Sequence, residues 1–368
     1  MNTIKLNLKE KSYPIYIQKG IILKAGNILK KLRIGKDAIV ITNNYLFNKF
    51  GNIIKNSLNK NNLSCKFYTV PDSEKTKSIK YCLGIIEKIS GYDNKRQIFI
   101  IALGGGVIGD LSGFIASIYK RGVPYINIPT TLLAQVDSSI GGKTAIDLKI
   151  AKNLVGTFYQ PNAVIIDPGL LKTLPKKQIK SGLAEVIKYA IIKDSTLFYF
   201  LKDNYKKILS IDKESMEFIE KRCINIKAKI VEKDEKEKKG LRTILNFGHT
   251  IGHAIESASG YNIYSHGQAI SIGMLCASDI ALAMGLLKEK TWREIVDLIK
   301  LYQISDKKKT RVSLGRIMDS LMRDKKFINV KNKFVLPISI GKVIVKQNIS
   351  EKLIKKTISS RIPISSLV

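Results

Sequence analysis

Gln97-Ile98-Phe99-Ile100-Ile101-Ala102-Leu103-Gly104-Gly105-Gly106-Val107-Ile108-Gly109-Asp110 is the stretch that decides the fold. Its first seven residues form an apolar run closed by glycine, which predicts a buried strand. Gly104, Gly106 and Gly109 then satisfy GxGxxG, and helical spacing begins at Leu111. Strand, glycine turn and helix in that order bring unpaired N–H groups and a positive dipole end to the turn. A backbone without Cβ atoms can approach a pyrophosphate there. A plain tight turn uses the same glycines. The motif also departs from the ordinary Rossmann fingerprint, because it lies deep in the chain and no acid follows about twenty residues later. It points to dinucleotide phosphates on a non-standard variant.

Outward from this stretch, β-rich runs at Ile4–Leu8, Ile15–Ile17, Ala38–Thr42, Cys65–Val70, Tyr125–Ile128 and Ala163–Ile166 surround helical patterns such as Ser78–Ser90. Strands alternating with helices imply a mostly parallel sheet covered on both faces. After Gly169 helical spacing takes over, in Gln178–Lys193, Glu214–Lys233, Thr250–Ser259, His266–Met284 and Lys288–Leu301. A late β-like piece, Phe334–Pro337 with Lys342–Val345, precedes a closing helix. The expected fold class is α/β, with a parallel-sheet nucleotide-type domain over 1–168 and a mainly α-helical domain over 169–368. Lys233–Lys239 holds no apolar residue and is expected to be an exposed turn.

Composition narrows the function. The 368 residues carry a formal charge of +33, yet the excess is mostly lysine scattered along the whole chain. With no basic stripe and no aromatic-interleaved basic run, a nucleic-acid partner is not expected, whereas an anionic small molecule needs only a few cations. The most apolar stretch, Ala269–Gly285, is interrupted by Asp279, so no membrane span is expected. Cys65, Cys82, Cys223 and Cys276 are far apart and form no CxxC pair, which suits buried thiols in a reducing, cytoplasmic setting.

Gly141-Gly142-Lys143-Thr144 resembles the end of a P-loop. Asp137 stands where that motif needs glycine, so ATP is not expected, and Lys143 is left as a candidate anion grip. The only three histidines, His249, His253 and His266, fall within eighteen residues. His249 and His253 are i, i+4 neighbours and share a helix face. Thr250 replaces the acid of HExxH, so a zincin protease is not expected. Zinc takes imidazole nitrogen and carboxylate oxygen, with three protein ligands at catalytic sites. Glu185 lies in an apolar helical stretch, where a carboxylate is costly unless paired or metal-bound. Lys188 at i+3 is a competing partner. Spacing alone selects His249, His253 and Glu185 as ligands.

Gly104–Asp110, Pro129–Ser139, Gly141–Thr144, Lys152-Asn153, Gly182–Tyr189, Leu245–His253 and His266-Gly267 together resemble the 3-dehydroquinate synthase family, in the family's order across almost the whole chain. The resemblance implies a Rossmann-like N-terminal domain, a helical C-terminal domain, a site in the cleft between them, bound NAD, a divalent metal (zinc or cobalt) and a homodimer. It implies conversion of an anionic sugar phosphate, 3-deoxy-D-arabino-heptulosonate 7-phosphate, to 3-dehydroquinate and phosphate. The route runs through oxidation at C5, phosphate elimination, return of the hydride and an intramolecular aldol closure. The implied metal ligands are Glu185, His249 and His266, which replaces the spacing-based choice of His253. That residue becomes a substrate-side proton carrier, as a metal-free histidine can exchange protons near neutral pH.

Implied NAD contacts are Asp72, Ser73, Glu74, Lys75, Thr76, Lys77, Gly105, Gly106, Val107, Ile108, Gly109, Asp110, Thr130, Thr131 and Asp137, with Lys143 and Lys152 bordering them and Leu170, Leu171, Lys172 and Thr173 completing the wall. Implied substrate contacts are Lys143, Lys152, Asn153, Lys188, Lys227, Arg242 and Asn246. Arg121 would reach phosphate across the dimer, and one of Lys325 and Lys326 would serve the phosphate side. The 233–240 loop is one residue longer than is common in the family, Gln268 stands where an acid is frequent, and Ala145 where glycine is frequent. Two other classes fit part of this pattern: a metal-dependent polyol or glycerol dehydrogenase, and a basic nucleic-acid-binding protein. The cations at Lys143, Lys152, Lys188 and Arg242 favour a phosphorylated acid over a neutral polyol.

Overall fold

Alternating burial of apolar side chains builds the first sheet. In β3 (Asp37–Asn43) and β5 (Ile98–Gly104), Ile39, Ile41 and Ile100 face one side while Val40, Phe99 and Ile101 face the other. Helices α1 (Ala25–Leu32) and α2 (Asn44–Asn59) cover one face through Ile28, Leu29, Phe50 and Ile54. Helices α3 (Ile79–Tyr92) and α4 (Gly106–Ile118) cover the other through Cys82, Ile85, Leu111 and Ile115. Strands buried on both faces read as continuous apolar runs, which is why these segments were legible. The computed structural model describes residues 1–148, 151–304, 312–323 and 332–365. They form two units, Met1–Leu174 with Ile211–Lys236, and Pro175–Ser210 with Glu237–Val368.

The first unit also contains β1 (Asn2–Leu6), β2 (Tyr13–Ile17), β4 (Ser64–Val70), β6 (Tyr125–Pro129), β7 (Lys143–Ile146), β8 (Val155–Phe158) and β9 (Ala163–Ile166). Seven strands are ordered β1-β2-β9-β6-β5-β3-β4. All neighbours are parallel except β1, which runs antiparallel to β2 at one edge. From β3 the chain first moves outward to β4, then returns to place β5 on the other side of β3. The order therefore reverses between β3 and β5, and the carboxyl ends of these strands are where open α/β sheets bind ligands. β7 and β8 form a separate antiparallel hairpin.

The remaining elements are α5 (Lys176–Lys193), α6 (Ser195–Asp203), α7 (Tyr205–Leu209), α8 (Lys213–Lys233), α9 (His249–Ala258), α10 (His266–Ala283), α11 (Glu289–Leu301), β10 (Val312–Ser313), α12 (Leu314–Arg323), the hairpin β11 (Lys333–Ser339) and β12 (Lys342–Gln347), α13 (Glu351–Arg361) and β13 (Ile364–Ser365). A single break after Pro168 groups Lys213–Lys233 with the later helices. In the structure that helix returns to the first unit, where Ile224, Ala228 and Val231 close over Leu6, Ile15, Ile17 and Val164. Without α8 this edge of the sheet would expose a contiguous apolar face. Glu220 of α8 is fully buried, and among the described residues neither of its carboxylate oxygens has a hydrogen-bond partner. Burial, with Glu217 and Asp167 nearby, pushes its carboxyl well above the ordinary range.

In the second unit α10 is surrounded by α5, α9, α11, α13 and β11. Arg361 Nε donates to Asp279 Oδ2 at 2.6 Å and Trp292 Nε1 to Asp279 Oδ1 at 2.8 Å, tying α13 and α11 to α10. Among the described residues no helix is long and apolar enough to cross a membrane. The four cysteines are unpaired; burial pushes the Cys82 thiol up to about 11 and also raises Cys65 and Cys276. None of these three is set up as a thiolate nucleophile.

Candidate active site

Three helices of the second unit converge on one buried carboxylate. Gly248 caps α9 at φ +77°, and a Cβ there would lie 2.5 Å from Met274 Cγ and 2.8 Å from the Ile270 carbonyl oxygen. A Cβ at Gly267 would stand 2.4 Å from Ser181 Cα. The first glycine lets α9 lie against α10, and the second lets the start of α10 lie against α5. Ser265 N–H donates to Gln268 Oε1 at 3.1 Å, closing the first turn of α10. The glutamine thus performs the capping task of the frequent acid at that position. The result places Glu185 of α5, His249 at the head of α9 and His266 at the head of α10 together.

Glu185 Oε1 lies 3.4 Å from His249 Nε2 and 3.5 Å from His266 Nε2. One ligand atom from each of the three lies within 4.8 Å of the others. Donor atoms held about 2.1 Å from a tetrahedral zinc stand about 3.4 Å apart, so the trio has the span of a metal site. Glu185 is ion-paired with Lys188, yet neither of its oxygens accepts a hydrogen bond of normal geometry, which leaves coordination capacity in a fully buried group. Burial alone would raise the Glu185 carboxyl; the Lys188 cation and the two imidazoles instead hold it well below the ordinary range. Burial keeps His249 low against the pull of Glu185. His266 is pushed up to about 10, because Glu185 and Glu256 outweigh its burial. Two carboxylates thus hold a cation at this point, either as a proton on His266 or as a metal ion in its place.

His253 is exposed, with its ring centroid 5.2 Å from that of His249 and 6.2 Å from that of His266. The spacing-based trio of His249, His253 and Glu185 does not assemble. One helical turn carries His253 about 5 Å along α9, away from Glu185, and His266 takes that place. His253 instead groups with Glu256 and His266. Sequence reasoning missed Glu256, although it stands at i+3 from His253 and i+7 from His249 on the same helix face. In this unit Arg242 and Asn246 lie on the short helix just before His249, and buried Arg242 pairs with Glu237 at 3.1 Å.

A second group of expected residues gathers at the carboxyl ends of the parallel strands in the first unit. Gly105 and Gly106 open α4 directly after β5, with Val107, Ile108, Gly109 and Asp110 in its first turns. Thr130 and Thr131 follow β6, and Thr130 N–H donates to the Gly104 carbonyl at 3.0 Å. A Cβ on Gly105 would meet Thr131 Cγ2 at 2.9 Å. Asp72–Lys77 follows β4. Lys77 is buried and donates to Asp110 Oδ2 at 2.5 Å and to Asn153 Oδ1. Burial pushes the Asp110 carboxyl up against the opposing pull of Lys77. Lys152 pairs with Glu74 at 3.5 Å. Lys227 Nζ donates to Asp137 Oδ1 at 2.7 Å and to the Asp137 carbonyl at 2.8 Å. Leu170 and Leu171 follow β9 with buried side chains, so they offer backbone to this surface, while Lys172 and Thr173 are accessible.

Lys143 opens β7 and is exposed. Arg121 lies apart, in the turn from α4 into β6, at the opposite end of the strands from Gly105. Lys325 and Lys326 lie outside the described residues.

A glycine-rich turn at a sheet's switch point in one unit and an acid–imidazole trio in the other define the class, the sugar-phosphate cyclase fold. The chain superposes on a 2-deoxy-scyllo-inosose synthase solved with carbaglucose-6-phosphate, NAD+ and Co2+ (TM-score 0.88, 25% identity, 98% of this chain and 100% of that one). It shares the fold of the 2-epi-5-epi-valiolone synthase of Streptomyces hygroscopicus subsp. jinggangensis, solved with NAD+ and Zn2+ (TM-score 0.86, 24% identity, 96% and 98% covered). The family profiles described as 3-dehydroquinate synthase N-terminal and C-terminal match residues 67–181 and 182–327. The 3-dehydroquinate synthase of Desulforamulus reducens is 42% identical over 351 residues, 95% of this chain and 98% of that protein. The chain belongs to the 3-dehydroquinate synthase family.

Proposed function

We propose that this chain converts 3-deoxy-D-arabino-heptulosonate 7-phosphate into 3-dehydroquinate and phosphate, using NAD and a divalent metal, zinc or cobalt. The observation that carries the reading is the meeting of Glu185, His249 and His266 at metal-ligand spacing beside the buried cation of Lys188, in a chain of this family. When bound, the metal would supply a Lewis acid that lowers the pKa of a substrate hydroxyl, and NAD would supply a reversible hydride acceptor.

The chain's own groups supply the rest. The glycine turn after β5 and the head of α4 receive the dinucleotide pyrophosphate, with Asp72–Lys77, Asp110, Thr130, Thr131, Asp137 and Leu170–Thr173 around the remainder. Glu185, His249 and His266 hold the metal. Lys188, fixed against Glu185, presents positive charge to the substrate's oxygens. Lys143, Lys152, Asn153, Lys227, Arg242 and Asn246 bind its carboxylate, hydroxyls and phosphate. His253, outside the metal trio and exposed, carries protons to and from the substrate. Arg121 serves the phosphate of a second copy's site in a homodimer, and one of Lys325 and Lys326 completes the phosphate side.

The test is the purified protein with the heptulosonate phosphate, NAD and zinc. Stoichiometric phosphate release without accumulation of NADH is the expected result. Steady NADH production, without phosphate release, would assign the protein to the dehydrogenases instead.

A further inference from the structure

The tautomers of the two metal-facing imidazoles are set by different partners. His249 Nδ1 lies 3.0 Å from the Phe247 carbonyl oxygen. A carbonyl can only accept, so this nitrogen carries the proton and the Nε2 lone pair faces Glu185. Among the described residues His266 has no such backbone partner. Its Nδ1 lies 3.3 Å from Glu256 Oε2, while its Nε2 lies 3.5 Å from Glu185 Oε1. The side chain of His266 is 30% exposed against 12% for His249, so packing restrains its ring less.

We infer that Glu256 is a positioning residue: it accepts the His266 Nδ1 proton and so aims the Nε2 lone pair of His266 at the point where the lone pairs of His249 and Glu185 converge. The inference rests on the metal reading proposed above. Partners of this kind fix ring orientation, raise ligand basicity and, when removed, weaken metal binding about 10- to 100-fold. Glu256 reaches His266 because α9 and α10 lie against one another, so the helix that supplies one ligand also orients the next. This role excludes a second one for the same atoms. His266 Nδ1 cannot donate to Glu256 and also join Glu256 and His253 around another cation.

The experiment titrates zinc into metal-free protein against a chromophoric chelator, and records the visible spectrum of the cobalt-loaded form. Glu256→Ala is expected to weaken zinc about 10- to 100-fold and to alter the cobalt bands, at one ion per chain. Glu256→Gln keeps an acceptor oxygen at the same reach, and is expected to stay within about tenfold of the parent. Glu256→Asp withdraws the carboxylate by one methylene while keeping its charge; it should lose affinity as alanine does, and it decides the matter if the alanine variant does not fold. Parent-like affinity in both Ala and Asp variants would overturn the inference, as would equal losses in the Gln and Ala variants. Loss of a second, weaker ion with the first unaffected would make Glu256 a ligand and overturn it too. Failure of the parent to bind zinc, or parent-like affinity in His249→Ala, would instead remove the metal reading itself.

Discussion

Replacing Glu220 by leucine should stabilise the first unit, and by an amount that grows with pH. The parent carboxyl is fully buried in α8 with both oxygens unpartnered, and burial pushes it well above the ordinary glutamate value of 4.5. An unpaired polar group in such a place costs about 1–3 kcal/mol, which leucine removes at any pH while filling a similar volume. The pH-dependent part has a definite sign. The folded state holds the Glu220 proton more tightly than the unfolded chain, so its stability is fully present below the unfolded value and is lost as pH rises toward the raised folded value. Over that window the parent loses about 1.4 kcal/mol per pH unit relative to leucine. Urea unfolding followed by circular dichroism at about pH 5 and about pH 7 should show the gain widening as pH rises, by at most about 1.4 kcal/mol per pH unit. Other charges, including the lysine excess, are common to both proteins and cancel in the difference. A gain that stays constant across pH would mean that Glu220 is not held protonated, and a net loss would mean that it has a partner; either result refutes the reasoning.

Three further outcomes follow from the site. His266→Ala should lose zinc affinity by more than about 100-fold with the fold intact by circular dichroism, while His253→Ala should keep zinc and turn over more slowly; unchanged zinc binding in the first or an unchanged rate in the second speaks against the assigned roles. Because Glu185 and Glu256 raise His266 to about 10 in the metal-free chain, zinc uptake near neutral pH should release about one proton, and affinity should fall as pH falls; calorimetry in buffers of different ionisation enthalpy reads this directly, and zero release contradicts it. Gly248→Ala forces a Cβ onto Met274 and the Ile270 carbonyl at positive φ, so it should cost about 2–4 kcal/mol and weaken zinc binding together, and a parent-like melting temperature would show that the α9–α10 approach has slack.

The sheet was legible because strands covered on both faces spell themselves as apolar runs, and Gln97–Leu103 with its glycine turn marked the interior strand β5. The later helices were legible from their spacing. What spacing could not supply was the partnership between elements. The i, i+4 pair of His249 and His253 is a statement about one helix, whereas the metal-like trio is assembled by Gly248 and Gly267, which set how three helices approach. The resemblance to the family pointed to His266, the histidine that the fold brings beside Glu185 and His249, because it carries three-dimensional information that periodicity lacks. The membership of α8 was hidden for the same reason: its apolar stripe reads identically whether it covers a sheet edge or other helices. Helix spacing alone does not pair Glu256 with His266; that neighbour comes from α10.

That return of α8 has a consequence for how the protein comes into being. As the ribosome delivers the chain from its beginning, Leu6, Ile15 and Ile17 emerge early, yet the helix that shields them is not released until Lys213–Lys233 has followed. In the meantime Pro175–Ser210, which belongs to the other unit, has already emerged. The nascent sheet therefore carries a sticky flank until that helix arrives, a natural site for chaperone capture and for aggregation when synthesis stalls before Lys213.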